Sequence, residues 1–237
     1  MSCISHSNPI QVYRGKHFLK QMIAGSTLLM WCMLMSVTTR AQLDYFDEYR
    51  TFHGGLVGGL NISQVDGDNF AGYTKKGFNL GGIVYFKMDE EHIKGSLEVS
   101  YTQKGAQSKG VFIAAPGLAV TDYAVTLNYA EVPFMINYFD QHLHHFGAGF
   151  SYSRLGTKKE TITFSPSQPI ANLDDYPFKK SDFNFLLGAN FHCWKGFFFN
   201  MRFQYSLISV RNKVPQDYGR NQQFNNMWTF RLMYLFK

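Results

Sequence analysis

The sequence predicts an all-β chain whose eight antiparallel strands close into an up-and-down transmembrane β-barrel. Three observations carry that expectation. Apolar and polar residues alternate with period two over stretches of ten or more residues, as in strands with one apolar and one polar face. The links between these stretches alternate between short and long. Phe (23), Tyr (14) and Gly (21) abound while only 17% of the 237 residues are charged. Such a composition favours pleated, closely approaching backbone and excludes a disordered chain.

The first 41 residues are of another kind. Arg14, Lys16, His17 and Lys20 make a basic start, no Asp or Glu precedes Asp44, and Met22 to Thr39 is apolar. Thr39-Arg40-Ala41 then places small residues at −3 and −1, so residues 1–41 are expected to be a signal peptide cleaved after Ala41. The apolar run is long for such a segment, and a retained anchor is the alternative. Residues 42–237 form the expected barrel domain. Four of the 23 basic residues and none of the 17 acidic ones lie before residue 42, which leaves 19 against 17, a net charge of +2 rather than +6. The high pI thus belongs to the export signal and gives no case for nucleic-acid binding. Only Cys193 remains after cleavage, so no internal disulfide is available.

The strands are expected at about 52–63, 76–88, 93–104, 122–139, 143–156, 182–194, 197–209 and 224–237. The first opens on Gly54-Gly55-Leu56-Val57-Gly58-Gly59, which lacks the order of a nucleotide-binding loop and suits close strand approach. In the second, Phe78, Leu80, Val84 and Phe86 share a face; in the third, Leu97, Val99 and Tyr101 oppose Lys94, Ser96, Glu98 and Ser100. The fourth changes phase. Tyr123, Val125, Leu127 and Tyr129 have one parity and Val132, Phe134, Ile136 and Tyr138 the other, so a bulge is expected near Ala130-Glu131. In the sixth, Cys193 shares a face with Phe183, Leu187 and Phe191. In the seventh and eighth, Phe199, Phe203, Phe230 and Leu232 face away from Arg202, Gln204 and Arg231.

Links after the second, fourth and sixth strands are short, and those at about 64–75, 105–121, 157–181 and 210–223 are long. Short periplasmic turns with long external loops mark an even-stranded outer-membrane barrel, and both chain ends then fall on the short-turn side. The apolar face points to lipid. A soluble lipocalin-like barrel with that face inward is the alternative. The polar face must pair its charges inside, and Glu98 with Arg202 or Arg231 is the expected interior network. Eight strands leave an interior filled by side chains.

For catalysis, the six histidines after residue 41 (His53, His92, His142, His144, His145 and His192) all fall at the short-turn end, which argues against a His-dependent surface enzyme. His142 and His144 would share a strand face beside His145, the weak candidates for a metal; with no completing Cys or carboxylate beyond Asp140, no metal and no cofactor is expected. Loop two (Gly110 to Val120) is apolar and would either contact a partner or extend strands three and four. Loop four offers Arg211, Lys213 and Arg220 against Asp217 to lipopolysaccharide phosphates.

Leu60-Asn61-Ile62-Ser63, Lys76-Gly77-Phe78-Asn79-Leu80-Gly81, Tyr101-Thr102-Gln103-Lys104-Gly105 and Tyr129-Ala130-Glu131-Val132-Pro133 resemble the recurrent segments of the PorT-type outer-membrane β-barrel family of Bacteroidota. Tyr234-Leu235-Phe236 is similar to the aromatic assembly signal of such barrels. The resemblance implies a porin-like barrel in the cell outer membrane, placed there by the barrel-assembly machinery. The expected role is that of a structural or interaction protein working through its long loops, with lipid, lipopolysaccharide and an envelope protein as possible partners. An accessory of protein secretion, or a narrow channel or small-ligand barrel, are the alternatives.

Overall fold

The computed structural model describes residues 51–68, 72–88, 92–115, 118–165, 175–212 and 222–236; the expected signal peptide lies outside them. Eight strands follow one another: β1 (Phe52–Asp66), β2 (Lys75–Lys87), β3 (Ile93–Ala115), β4 (Leu118–Phe139), β5 (His145–Ser165), β6 (Ser181–Trp194), β7 (Phe197–Ser206) and β8 (Phe224–Leu235). Each pairs antiparallel with the next, and β8 returns to β1 from Gly55↔Leu235 to Asp66↔Phe224, closing the barrel. The glycine run of β1 lies on that seam. A Cβ on Gly59 would run into the Phe230 carbonyl, so a side chain here would push β1 off β8.

The strands are unequal. β2, β6, β7 and β8 have 13, 14, 10 and 12 residues, near the roughly 9–11 that cross a bilayer. β3, β4 and β5 have 23, 22 and 21. Their surplus rises beyond the other strands by roughly 25 Å once tilt is allowed for. Loop two of the sequence reading is therefore mostly strand: β3 and β4 are joined through residues 116 and 117 alone. The β3–β4 ladder continues to Ala115↔Leu118, with register shifts at Lys109/Phe112 and Ile113/Ala115.

The bulge expected near Ala130-Glu131 is absent: β4 keeps one phase from Tyr123 to Phe139, and its own register shift lies between Val120 and Asp122. Tyr123, Val125, Leu127 and Tyr129 point inward and are buried, and so, in the same parity, do Glu131, Met135, Asn137 and Phe139. Val132, Phe134, Ile136 and Tyr138 point outward and are exposed. What inverts is the chemistry of the two faces. In the lower half the outside is apolar and the inside polar; in the projecting half the inside is apolar and the outside carries Thr126, Asn128 and, on β5, Lys159, Thr161 and Thr163. The neighbouring register shift is on β5: Asn128 pairs Thr157 and Tyr129 pairs Leu155, which leaves Gly156 as the extra residue.

The interior is layered. At the short-turn end Val57, Ile83, Tyr85, Phe139, Phe198 and Met233 form an apolar plug against which Leu143 packs. At the projecting end Val65, Val125, Leu127, Tyr129, Ile162 and Phe178 form a second core. Polar and charged side chains fill the layer between.

Candidate functional site

The middle layer is built by inward positions that period two places on every strand. Glu98 on β3 lies between two guanidinium groups: Arg202 Nη2 on β7 at 2.9 Å and Arg231 Nη1 on β8 at 2.6 Å. Arg231 also donates through Nε to Asn200 Oδ1 (2.7 Å) and through Nη1 to Asn79 Oδ1 (3.0 Å). All three charged residues are buried, so each full charge depends on its partners for the solvation that water would give.

A second centre lies nearer the projecting end. Lys104 Nζ meets Asp182 Oδ2 at 3.2 Å, Asn184 Oδ1 at 3.1 Å and Glu131 Oε2 at 3.7 Å, and sits 5.0 Å over the Tyr129 ring. Ser206 and Asn225 also donate to Asp182, and Gln204 to Glu131. The two centres together hold three cations and three carboxylates, so their formal charges balance. Sequence reasoning missed this second centre. Glu131 was hidden by the supposed bulge, and Asp182 sat at an expected strand edge.

His142 and His144 lie side by side, their rings stacked with centroids 6.3 Å apart, but His142 belongs to the turn before β5 and not to a strand face. The Asp140 carboxylate accepts the N–H of both His142 (2.8 Å) and His144 (2.7 Å) and holds a tight turn through Leu143 at φ +65°. His144 Nδ1 accepts the His192 N–H at 3.0 Å. His145 points inward, stacked on Phe139 with ring centroids 4.0 Å apart and Nε2 2.9 Å from the Tyr85 hydroxyl. Among the described residues no three His, Cys, Asp or Glu side chains are grouped to hold a metal.

The mouth of the projecting end is covered by short segments at 175–180 and 207–211. Leu155 N–H donates to Lys180 O, Lys179 N–H to Val210 O and Val210 N–H to Gln223 O, at 2.7, 2.7 and 2.8 Å. Arg211 fixes the cover: Nη1 meets Glu160 Oε1 at 2.8 Å, Nε donates to Tyr176 O at 2.8 Å, and the guanidinium lies 4.5 Å from the Phe178 ring. Arg211 is 2% exposed, so it is not offered to lipopolysaccharide as the sequence suggested. Its charge is spent on Glu160, a residue nothing in the local sequence links to it. Lys213, Asp217 and Arg220 lie outside the described residues. Beside the mouth, the Tyr73 hydroxyl donates to Asn226 Oδ1 at 2.7 Å, and its pKa is raised by burial and by the Asp66 carboxylate.

Around the lower half, the outward face is a continuous apolar band. Leu60, Leu80, Val99, Phe134, Phe150 and Leu232 are all exposed. An apolar face of this extent around a closed barrel suits hydrocarbon, not water. Residues 29–236 match the model of the outer membrane protein beta-barrel domain. The chain belongs to this family. It is therefore an outer-membrane β-barrel, and its apolar band is its lipid-facing surface. No curated protein matches it in sequence. Among solved structures it is similar to Ail, the attachment invasion locus protein of Yersinia pestis (14% identity, 79% of this chain and 100% of that one, TM-score 0.36). It is similar also to Neisserial surface protein A (12%, 79% and 98%, TM-score 0.43) and to OprG from Pseudomonas aeruginosa (14%, 78% and 94%, TM-score 0.34).

Proposed function

We propose that this outer-membrane barrel is a non-catalytic interaction protein whose working part is the sheet of β3, β4 and β5 that rises from one rim. In this reading the short turns and both chain ends face the periplasm, and the sheet stands in the exterior. The observation that carries it is the inversion of the two faces along β4 and β5. A segment with its apolar side chains inside and Thr, Asn and Lys outside is built to stay folded in water. The barrel then serves as an anchor that holds a folded surface at a fixed height, where the sequence predicts long loops.

The filled interior supports this reading over the narrow-channel alternative. Two apolar layers and a neutral ionic layer leave the lumen no continuous polar path. The six described histidines lie at the short-turn end, away from the projecting sheet, which supports a role without acid–base catalysis or a cofactor. The partner is expected to be another envelope or surface protein, with the barrel-assembly machinery needed only for insertion. The PorT-type likeness and a part in protein secretion remain within this proposal.

The test is a photo-crosslinking residue placed at Thr161 or Thr163, irradiated in intact cells. One defined protein should be captured there and not from Lys87 at the opposite end. Trimming the β3–β4 hairpin should abolish capture while the band stays heat-modifiable on a denaturing gel. Equal capture from both ends would overturn the reading; capture of a translocation component would identify the secretion role.

A further inference from the structure

Directly above the lipid-facing band, the outward positions of four strands are neutral or acidic: Gln64 and Asp66 on β1, Gln103 on β3, Thr126 and Asn128 on β4, and the largely buried Asn226 on β8. β2 carries one exposed cation there, Lys76. The rim of β5 and β6 differs. Tyr152 and Phe183, with ring centroids 5.1 Å apart, end the apolar face there. Two residues further along β5 stands exposed Arg154, opposite Ser181 in the ladder. Its Nη1 lies 3.4 Å from Ser181 Oγ, which is itself 3.1 Å from the Tyr152 hydroxyl, so the guanidinium is held at the rim. The Leu155 N–H bonds Lys180 O, which brings exposed Lys180 and Lys179 beside it. Lys159 stands higher on the outward face of β5. The acidic residues nearby are Glu160, turned inward to Arg211, and exposed Asp175.

We infer that Arg154, Lys179 and Lys180, with Lys159 above them, form a docking site for the phosphate groups of outer-leaflet lipopolysaccharide. Height and charge both point there. A strand advances about 3.3 Å per residue, so Arg154 stands about 6 Å above the last lipid-facing ring, where phosphorylated sugars begin above the acyl chains. Guanidinium and ammonium groups bind phosphate by charge-assisted hydrogen bonds, Arg through two donors at once. Lys159 lies a step further out, at the level of phosphorylated core sugars. The tyrosine and phenylalanine rings beneath supply the apolar seat for the acyl chains of the same molecule. The site thus fixes which side of the barrel holds glycolipid. It rests on the outer-membrane placement and not on the platform reading, so its failure leaves the role of the projecting sheet standing.

The experiment uses the full barrel refolded in detergent and titrated with purified lipopolysaccharide, with dephosphorylated lipopolysaccharide and phosphatidylglycerol as the other arms. The triple variant R154A/K179A/K180A is compared with K76A, which removes an exposed cation from the β2 rim. Three basic side chains at a charged surface are expected to be worth about a hundredfold in affinity. The triple variant should lose that much for lipopolysaccharide and stay heat-modifiable, while K76A stays at the native affinity. Unchanged affinity in the triple variant, or an equal loss in K76A, overturns the site. Equal binding of the dephosphorylated form shows that phosphate is not what it reads. Equal binding of phosphatidylglycerol shows that any anionic surface serves. Either result overturns the assignment to glycolipid.

Discussion

At the scale of single residues the barrel depends on charges with no access to water. Glu98 holds two guanidinium groups, and neither Arg202 nor Arg231 has another carboxylate within ion-pair distance among the described residues. Glu98→Ala would leave two like charges facing each other in a closed lumen. Removing one partner of a buried ion pair costs about 3–5 kcal/mol. The urea midpoint for unfolding the refolded barrel should fall accordingly. A Glu98→Ala variant as stable as the native chain would mean that the arginines are solvated by something other than Glu98. These three residues were legible in the sequence because period two alone puts Glu98, Arg202 and Arg231 on the inner face of strands with long, regular alternation. Lys104 falls on the same inner face of β3 as Glu98, but its partners were hidden: the phase change read near Ala130-Glu131 obscured Glu131, and Asp182 stands at the edge of its expected strand.

At the scale of the element, β4 and β5 show why. A strand pattern gives two faces but not the solvent each one meets. Where an apolar run switches parity, a bulge and a change of medium read alike in sequence. Here the parity of the backbone is constant from Tyr123 to Phe139 and the medium changes around Ala130. That reading makes opposite demands on two outward positions of β5. Phe150→Arg sets a cation in the lipid-facing band and should cost roughly 2–4 kcal/mol if near the bilayer midplane. Thr161→Arg, outward on the projecting half, should change stability by less than about 0.5 kcal/mol. On β4, Leu127→Ala should cost about 2–5 kcal/mol, since it empties a position of the upper core. Refolding in detergent followed by urea titration ranks the three. If Thr161→Arg proved as harmful as Phe150→Arg, the lipid would have to reach the projecting sheet. The segment at the top of this sheet is the extension of strands three and four that the sequence offers beside a partner-binding loop: β3 runs to Ala115 and β4 starts at Leu118, with register shifts at Lys109/Phe112 and Ile113/Ala115.

At the scale of the whole molecule, closure and filling decide what can pass. The ring is sealed by β1 on β8, and its lumen is stopped three times over: by the aromatic plug of Tyr85, Phe139 and Phe198, by the ionic layer, and by the upper core under its Arg211-fixed cover. In planar bilayers the native barrel should therefore give no stable conductance steps, although it inserts. Arg211→Ala frees Glu160 and the 175–180 segment, and should raise protease cleavage at the mouth. It should still not conduct, because the two lower layers remain. This separates a cover that merely stabilises the exterior end from one that gates a path. Discrete conductance in the native protein would overturn the filled-lumen account. Conductance in Arg211→Ala alone would mean that the lower layers part when the cover is loosened, making the barrel a gated channel rather than an anchor.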